Sequence, residues 1–169
     1  MADQFIAHPG KDGRPDQSIK DHLFGVARLA TEVARKIGLP EAGELLGLLH
    51  DIGKYSKAFQ EYIRSATGRL NPDEDGYVDA TAQKGKIDHS TAGAQLCWET
   101  LSMKGGHYAV LGQILALCLA SHHSGLIDCV SPGASLEDLS NFLNRMKKDP
   151  QKTFIEEIKS KIDPEVSER

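Results

Sequence analysis

Several common chemical signatures are missing from this 169-residue sequence. It has no GxxxxGK[ST] phosphate loop, no HExxH pair and no GxSxG nucleophile turn, which removes three large enzyme classes at once. Cysteine is scarce: Cys97, Cys118 and Cys129 are the only three, with no CxxC spacing. An odd, scattered set argues against a disulfide framework or a thiolate zinc site, and reads as free thiols in a reducing compartment. Cys97 and Cys118 lie in apolar helical stretches and are expected to be buried. Positive charge is not in excess, because 20 Lys and Arg face 24 Asp and Glu for a net of −4. That balance argues against a broad basic surface that grips nucleic acid by charge alone. A local cationic site stays open, since bound metal ions do not enter that sum. The longest apolar segment, residues 110–120, is interrupted by Gly112 and Gln113 and is far too short to span a bilayer. The opening MADQFIAHPG lacks the basic-then-apolar order of a signal peptide. These absences predict a cytoplasmic protein with no membrane partner.

What is present reads as helix. The length suits one domain, 1–169, able to bury its own core. Residues 1–17 read as an extended lead-in. Ser18 is a candidate N-cap with Asp21 three residues on. Ile19, Leu23, Val26, Ala30, Val33 and Ile37 then recur at helical spacing until Gly38-Leu39-Pro40 stops the run. Further helices are predicted over about 41–51, 56–66, 90–103 and 107–122, with two shorter ones near 136–147 and 153–162. Residues 68–87 are polar and rich in Gly and Asp, a connection long enough to suggest a functional or mobile loop. No strand-like alternation of useful length appears. The predicted fold class is all-α.

Seven histidines are the informative feature, and five of those within or at the ends of helical segments, His22, His50, His89, His122 and His123, carry the reading. His22 shares the apolar face of its helix, where a histidine is more often a satisfied core residue than a ligand. His50 and Asp51 follow Leu45, Leu46, Leu48 and Leu49 and precede Gly53. That placement puts two polar side chains at the inner end of a buried helix, where a carboxylate needs an opposite charge. An exposed helix-end aspartate is the plain alternative. His89 opens a helix that Asp88 or Ser90 could simply cap. His122 and His123 close an apolar helix; neighbours point about 100° apart, so both reach one centre only where the helix bends at Gly125.

Singly these residues are weak signals, but together they describe imidazoles converging on a shared carboxylate. Such nitrogen-rich ligation suits Mn, Fe, Co, Ni or Zn better than Mg. One or two divalent ions held by neutral imidazoles and one carboxylate would leave a positive pocket suited to a phosphodiester. Lys54 is either a further cation for phosphate oxygens or a solvated helix-end lysine.

The ordered motifs Ala7-His8, the His22 helix, GLLHDIGKYSKAFQEY, DHSTAGA and SHHSGLID resemble the HD nuclease domain of the CRISPR-associated helicase–nuclease of type I systems. The likeness runs from about Phe5 to Asp128, followed by a helical tail over 134–169. It implies a single helical HD bundle with a metal site where the central helices meet. It also implies metal-dependent cleavage of single-stranded DNA exposed by a guide-RNA surveillance complex, beside a superfamily 2 helicase domain in cis or trans. Carried over by position, His22 and His50 would bind a first metal, Asp51 would bridge, and His89, His122 and His123 would bind a second. Lys54 matches the family's active-site lysine. His8 falls in its Ala-His motif and is read as supporting the site, while His107 has no counterpart.

One family feature has no match. A late aspartate that completes the first metal site is not found after Gly133, and Asp138, Asp149 and Asp163 lie in solvated helices or turns by pattern. The first metal is accordingly expected to be weak or absent. Two other readings compete with the nuclease: an HD phosphohydrolase acting on nucleotides, and a catalytically impaired fragment serving as a docking module.

Overall fold

A computed structural model describes residues 5–131, 133 and 139–167. Ser18 adopts an extended backbone and its hydroxyl accepts the Asp21 N–H at 3.0 Å. The predicted cap therefore starts α1, Ile19–Arg35. After Gly38 turns the chain at φ +75°, Pro40 supplies the first residue of α2, Pro40–Leu49. This helix stops earlier than its apolar pattern suggested: His50 is its C-cap, and Asp51 leaves helical geometry at φ −121°, ψ 17°. A 3-10 turn, Ile52–Tyr55, leads to Ser56, which caps α3, Lys57–Ala66.

The polar 68–87 connection holds only a short α4, Ala80–Gln83. It is tied down by Arg69, whose two guanidinium nitrogens donate to both oxygens of Asp16. Two long helices follow, α5, Thr91–Ser102, and α6, Gly106–Ser121. Beyond them lie α7, Asn141–Met146, α8, Pro150–Thr153, α9, Ile155–Lys161, and α10, Pro164–Ser167. The two tail helices expected from the sequence are thus shorter pieces, broken where Asp149-Pro150 starts a new cap and Phe154 turns left-handed at φ 57°. Residues 136–138, at the start of the expected 136–147 helix, lie outside the described residues. The lead-in contains a pairing that the sequence did not announce: β1, Ile6–His8, runs antiparallel to β2, Gln17–Ser18.

The fold is the all-helical bundle expected. α1 packs on α2 and α5 on α6, and the two pairs enclose Ile19, Leu23, Ile52 and Leu119, each at most 1% exposed. Burial of each such side chain is worth about 1.5–3 kcal/mol. Two glycines allow the close approach that shapes the centre. A Cβ on Gly93 would overlap the Leu49 carbonyl, and one on Gly53 would overlap the His89 backbone, so α5 and the segment before it lie directly against the end of α2.

The tail is fastened by buried polar bonds. Gln95 donates to the carbonyls of Met146 at 3.1 Å and Lys148 at 2.8 Å, and accepts from Thr153 Oγ1 at 2.9 Å. Trp98, partly buried against the core, stacks on Phe142 with ring centroids 5.0 Å apart.

Two burial expectations are corrected. Cys97 is buried, and burial pushes its thiol up to about 11, but Cys118 is exposed. α6 is apolar all round, yet Leu115, Ala116, Leu119 and Ala120 are its packed side and Cys118 is on the other. Likewise Val33 and Ile37 are 65% and 73% exposed, because the buried face of α1 narrows to Ile19, Leu23 and Ala27.

Candidate metal centre

Four chain segments end around Asp51. His22 comes from the first turns of α1, His50 from the end of α2, His89 from just before α5, and His122 and His123 from the end of α6. The carboxylate faces two ways. Its Oδ2 lies 3.0 Å from His22 Nε2, 3.3 Å from His50 Nε2 and 2.8 Å from Lys54 Nζ. Its Oδ1 lies 3.4 Å from His122 Nε2, 3.6 Å from His89 Nε2 and 3.8 Å from His123 Nε2. All seven residues singled out in the sequence are therefore brought together. Two compact donor sets result, His22–His50–Asp51 and Asp51–His89–His122–His123, sharing the aspartate.

Ring orientation is set by the backbone. The Nδ1 of His50 meets the Gly47 carbonyl at 2.8 Å, that of His122 the Leu119 carbonyl at 2.7 Å, and that of His89 the Ile87 carbonyl at 3.2 Å. A carbonyl only accepts, so Nδ1 carries the proton and the Nε2 lone pair points inward, as a metal ligand requires. These i−3 carbonyls are free because His50 and His122 stand at helix C-caps. The inward nitrogens crowd: His22 Nε2 is 3.1 Å from His50 Nε2, and His89 Nε2 is 2.7 Å from His123 Nε2.

Electrostatics fit the same reading. Burial raises the Asp51 carboxyl, but the imidazoles of His122, His22 and His50 outweigh it and hold the group far below the usual carboxylate range. Burial lowers His89, and burial with the charges of His122 and His89 lowers His123. His122 is the exception: the Asp51 carboxylate and the Leu119 carbonyl raise it despite its burial. The deciding observation is Asp51 Oδ1, which is buried and has no hydrogen-bond partner. An orphaned carboxylate oxygen facing three imidazole nitrogens fits a divalent cation and little else.

Lys54 is not the solvated helix-end lysine of the plainer reading; it is 5% exposed and paired with Asp51. Its Nζ also approaches the Ala7 carbonyl at 3.4 Å and the Phe59 ring at 5.6 Å from the centroid. His8 packs edge-on against His22, centroids 4.7 Å apart, outside both donor sets. His107 is exposed at the start of α6 and takes no part. Asp149 caps α8 and Asp163 pairs with Lys20 at 3.4 Å, so neither supplies the late aspartate; Asp138 lies outside the described residues.

Two supports escaped the sequence reading. The ring centroid of Phe59 lies 5.3 Å from that of His89, although Phe59 stands among the buried apolar residues of α3. Gln60 bonds the N–H of Ile6 and donates to the carbonyls of Ile6 and Lys54, fastening β1 beside the site. No local signal distinguishes such a glutamine from a surface one.

A helical bundle closed around a His-Asp pair and further histidines defines the HD class of metal-binding phosphohydrolase folds. A family model described as Cas3, HD domain, matches residues 13–161, and the chain belongs to that family. Comparison with curated proteins finds no match. Membership places the chain among the metal-dependent nucleases and phosphohydrolases of CRISPR systems, in a nucleic-acid and helicase context. Among the described residues no helix is long and apolar enough to cross a membrane.

Proposed function

We propose that this chain is a metal-dependent nuclease domain that degrades single-stranded DNA in CRISPR antiviral defence. A superfamily 2 helicase domain, in cis or trans, and a guide-RNA surveillance complex are its partners, and the cytoplasm is its compartment. The observation that carries the reading is Asp51, whose two oxygens face separate imidazole sets and whose Oδ1 is left without a donor.

Asp51, His89, His122 and His123 form a complete four-donor set for one divalent ion. His22, His50 and Asp51 form a set one donor short, with the Lys54 ammonium 2.8 Å from the shared oxygen. A fixed cation there disfavours a second divalent ion and attracts phosphate oxygens, so the four-donor set fills first. Imidazole-rich ligation favours Mn, Co, Ni or Fe, with Mg possible at lower affinity. When bound, such an ion lowers the pKa of water and stabilises charge on the phosphoryl oxygens. The chain's own residues do the rest. Asp51 holds the negative charge at the centre, the carbonyl-anchored imidazoles keep their lone pairs aimed, and Lys54 fixes Asp51 while offering a cation to the phosphate.

The test is incubation of the protein with end-labelled single-stranded and duplex DNA under Mn, Co, Ni or Mg. Shortening of single strands in at least one transition metal is expected, with duplex largely spared. Intact single strands under every metal, from folded protein, would sink the proposal. Nucleoside triphosphates belong in the same assay, because a net charge of −4 favours a small substrate over a polyanion. Turnover of nucleotides without polymer cleavage would assign the site to them instead.

A further inference from the structure

A groove of about 250 Å³ opens between α1, α2 and α6. Val26 and Ala30 form one wall, Cys118 and Leu119 the other, and Leu46 lies between them. At one end it is lined by His50 and His122, one imidazole from each of the two donor sets. We propose that this groove is a nucleobase subsite that holds one base of the strand next to the phosphate being cut. The proposal deepens the nuclease reading and rests on it.

Three observations support a base as the occupant. The groove is smaller than the roughly 300–1,000 Å³ of a drug-sized ligand pocket, which suits one flat ring system and not a docked helix. Its lining has no charged or amide side chain, so it takes the apolar face of a ring without reading its edge. Its inner end is built from two imidazoles whose ring centroids lie 5.4 Å apart, and histidine is among the side chains on which unstacked bases pack. A phosphate at the donor sets and a base in the groove are then adjacent parts of one nucleotide. Because every base has an apolar face, recognition of this kind is sequence-tolerant, as degradation of arbitrary DNA requires.

Cys118 makes the subsite measurable, since its thiol is exposed in the groove wall while Cys97 is buried and Cys129 is exposed outside the groove. With Mn present, alkylation of Cys118 by N-ethylmaleimide is followed in excess thymidine oligonucleotide or in an abasic oligomer of equal length. The thymidine strand is expected to slow Cys118 alkylation about tenfold more than the abasic one, the order expected for one stacked base, with Cys129 unaffected. Cys118→Trp, which fills the groove, should raise KM about tenfold, by the same reasoning. Equal protection by the abasic oligomer would overturn the subsite. So would cleavage of DNA without any protection of Cys118, which would leave the groove to a partner protein's side chain. If DNA is neither cut nor protective, the nuclease reading falls and the subsite falls with it.

Discussion

Three aspartates stand beside histidines in this chain, and two of them, Asp88 and Asp51, have opposite surroundings. Asp88, next to His89, is fully employed: Oδ1 accepts the N–H of Thr91 at 3.0 Å, and Oδ2 accepts Thr91 Oγ1 and Lys148 Nζ, both at 2.6 Å. Asp51, next to His50, is more deeply buried, yet its Oδ1 has no donor. A carboxylate whose oxygens are bonded stabilises the fold directly. One that is buried, ionised and left with an idle oxygen costs stability until a cation arrives. Adjacent histidine is thus no guide to role; the hydrogen-bond inventory is.

The sharpest way to break this contrast is to remove each carboxylate in turn. Asp51→Asn should lower DNA cleavage by more than about a hundredfold, since even residues that only support metal ligands cost 10–100-fold. It should also abolish the rise in Tm that metal confers on the wild type, while Tm in chelator falls because the buried Lys54 ammonium loses its carboxylate. A variant that kept the metal-induced rise in Tm would make Asp51 a structural residue like Asp88 and erase the difference.

Asp88→Ala should behave in the reverse manner. Loss of the Lys148 pair and the Thr91 bonds is expected to cost about 2 kcal/mol, less than a fully buried pair because Lys148 is partly exposed, with the metal-induced rise in Tm retained. The pH dependence follows from the depressed Asp88 carboxyl, which burial raises but Lys148 and Thr91 hold below the usual range. A depressed folded pKa contributes stability that is present above the unfolded value of about 3.9 and is lost as pH falls toward the folded one. The gap between wild type and Asp88→Ala in chemical denaturation should therefore be full near neutrality and shrink in acid. A gap independent of pH would show that the carboxylate charge is not what holds the tail.

The smallest effect is expected at Asp16, on the surface. Arg69 and the Gly10 N–H hold its carboxyl at about 2. Arg69→Ala should let it rise toward the ordinary value of about 3.9, read by NMR titration. Stability should change by less than about 0.5 kcal/mol, as is usual for exposed pairs. A large loss would mean that the 68–87 connection is held by this one pair.

Helix positions were legible where the signals are local. The Ser18 cap and the Gly38 stop each act within a turn or two of the chain and appear where the pattern put them. Pro40, read as part of the stop, and Ser56, read as the first residue of a helix, prove to be the N1 residue and the N-cap of the helices that follow. The short β1–β2 pair was not legible, because a two-residue strand carries no alternation. Nor was the exposure of Cys118, Val33 and Ile37: an apolar stripe says that a face is apolar, not that a neighbour covers it.

By itself, the sequence determined the class of chemistry, because histidines and a His-Asp pair at helix ends are a choice of donor atoms, and donor type is written residue by residue. It equally determined the family, through motifs whose order needs no coordinates. Only the tertiary structure decided that the two oxygens of Asp51 divide between two imidazole sets, that Lys54 is buried against one of them, and that an apolar groove ends at both. Those are statements about distances between segments up to a hundred residues apart, set by how α1, α2, α5 and α6 pack, and packing is a property of the whole chain.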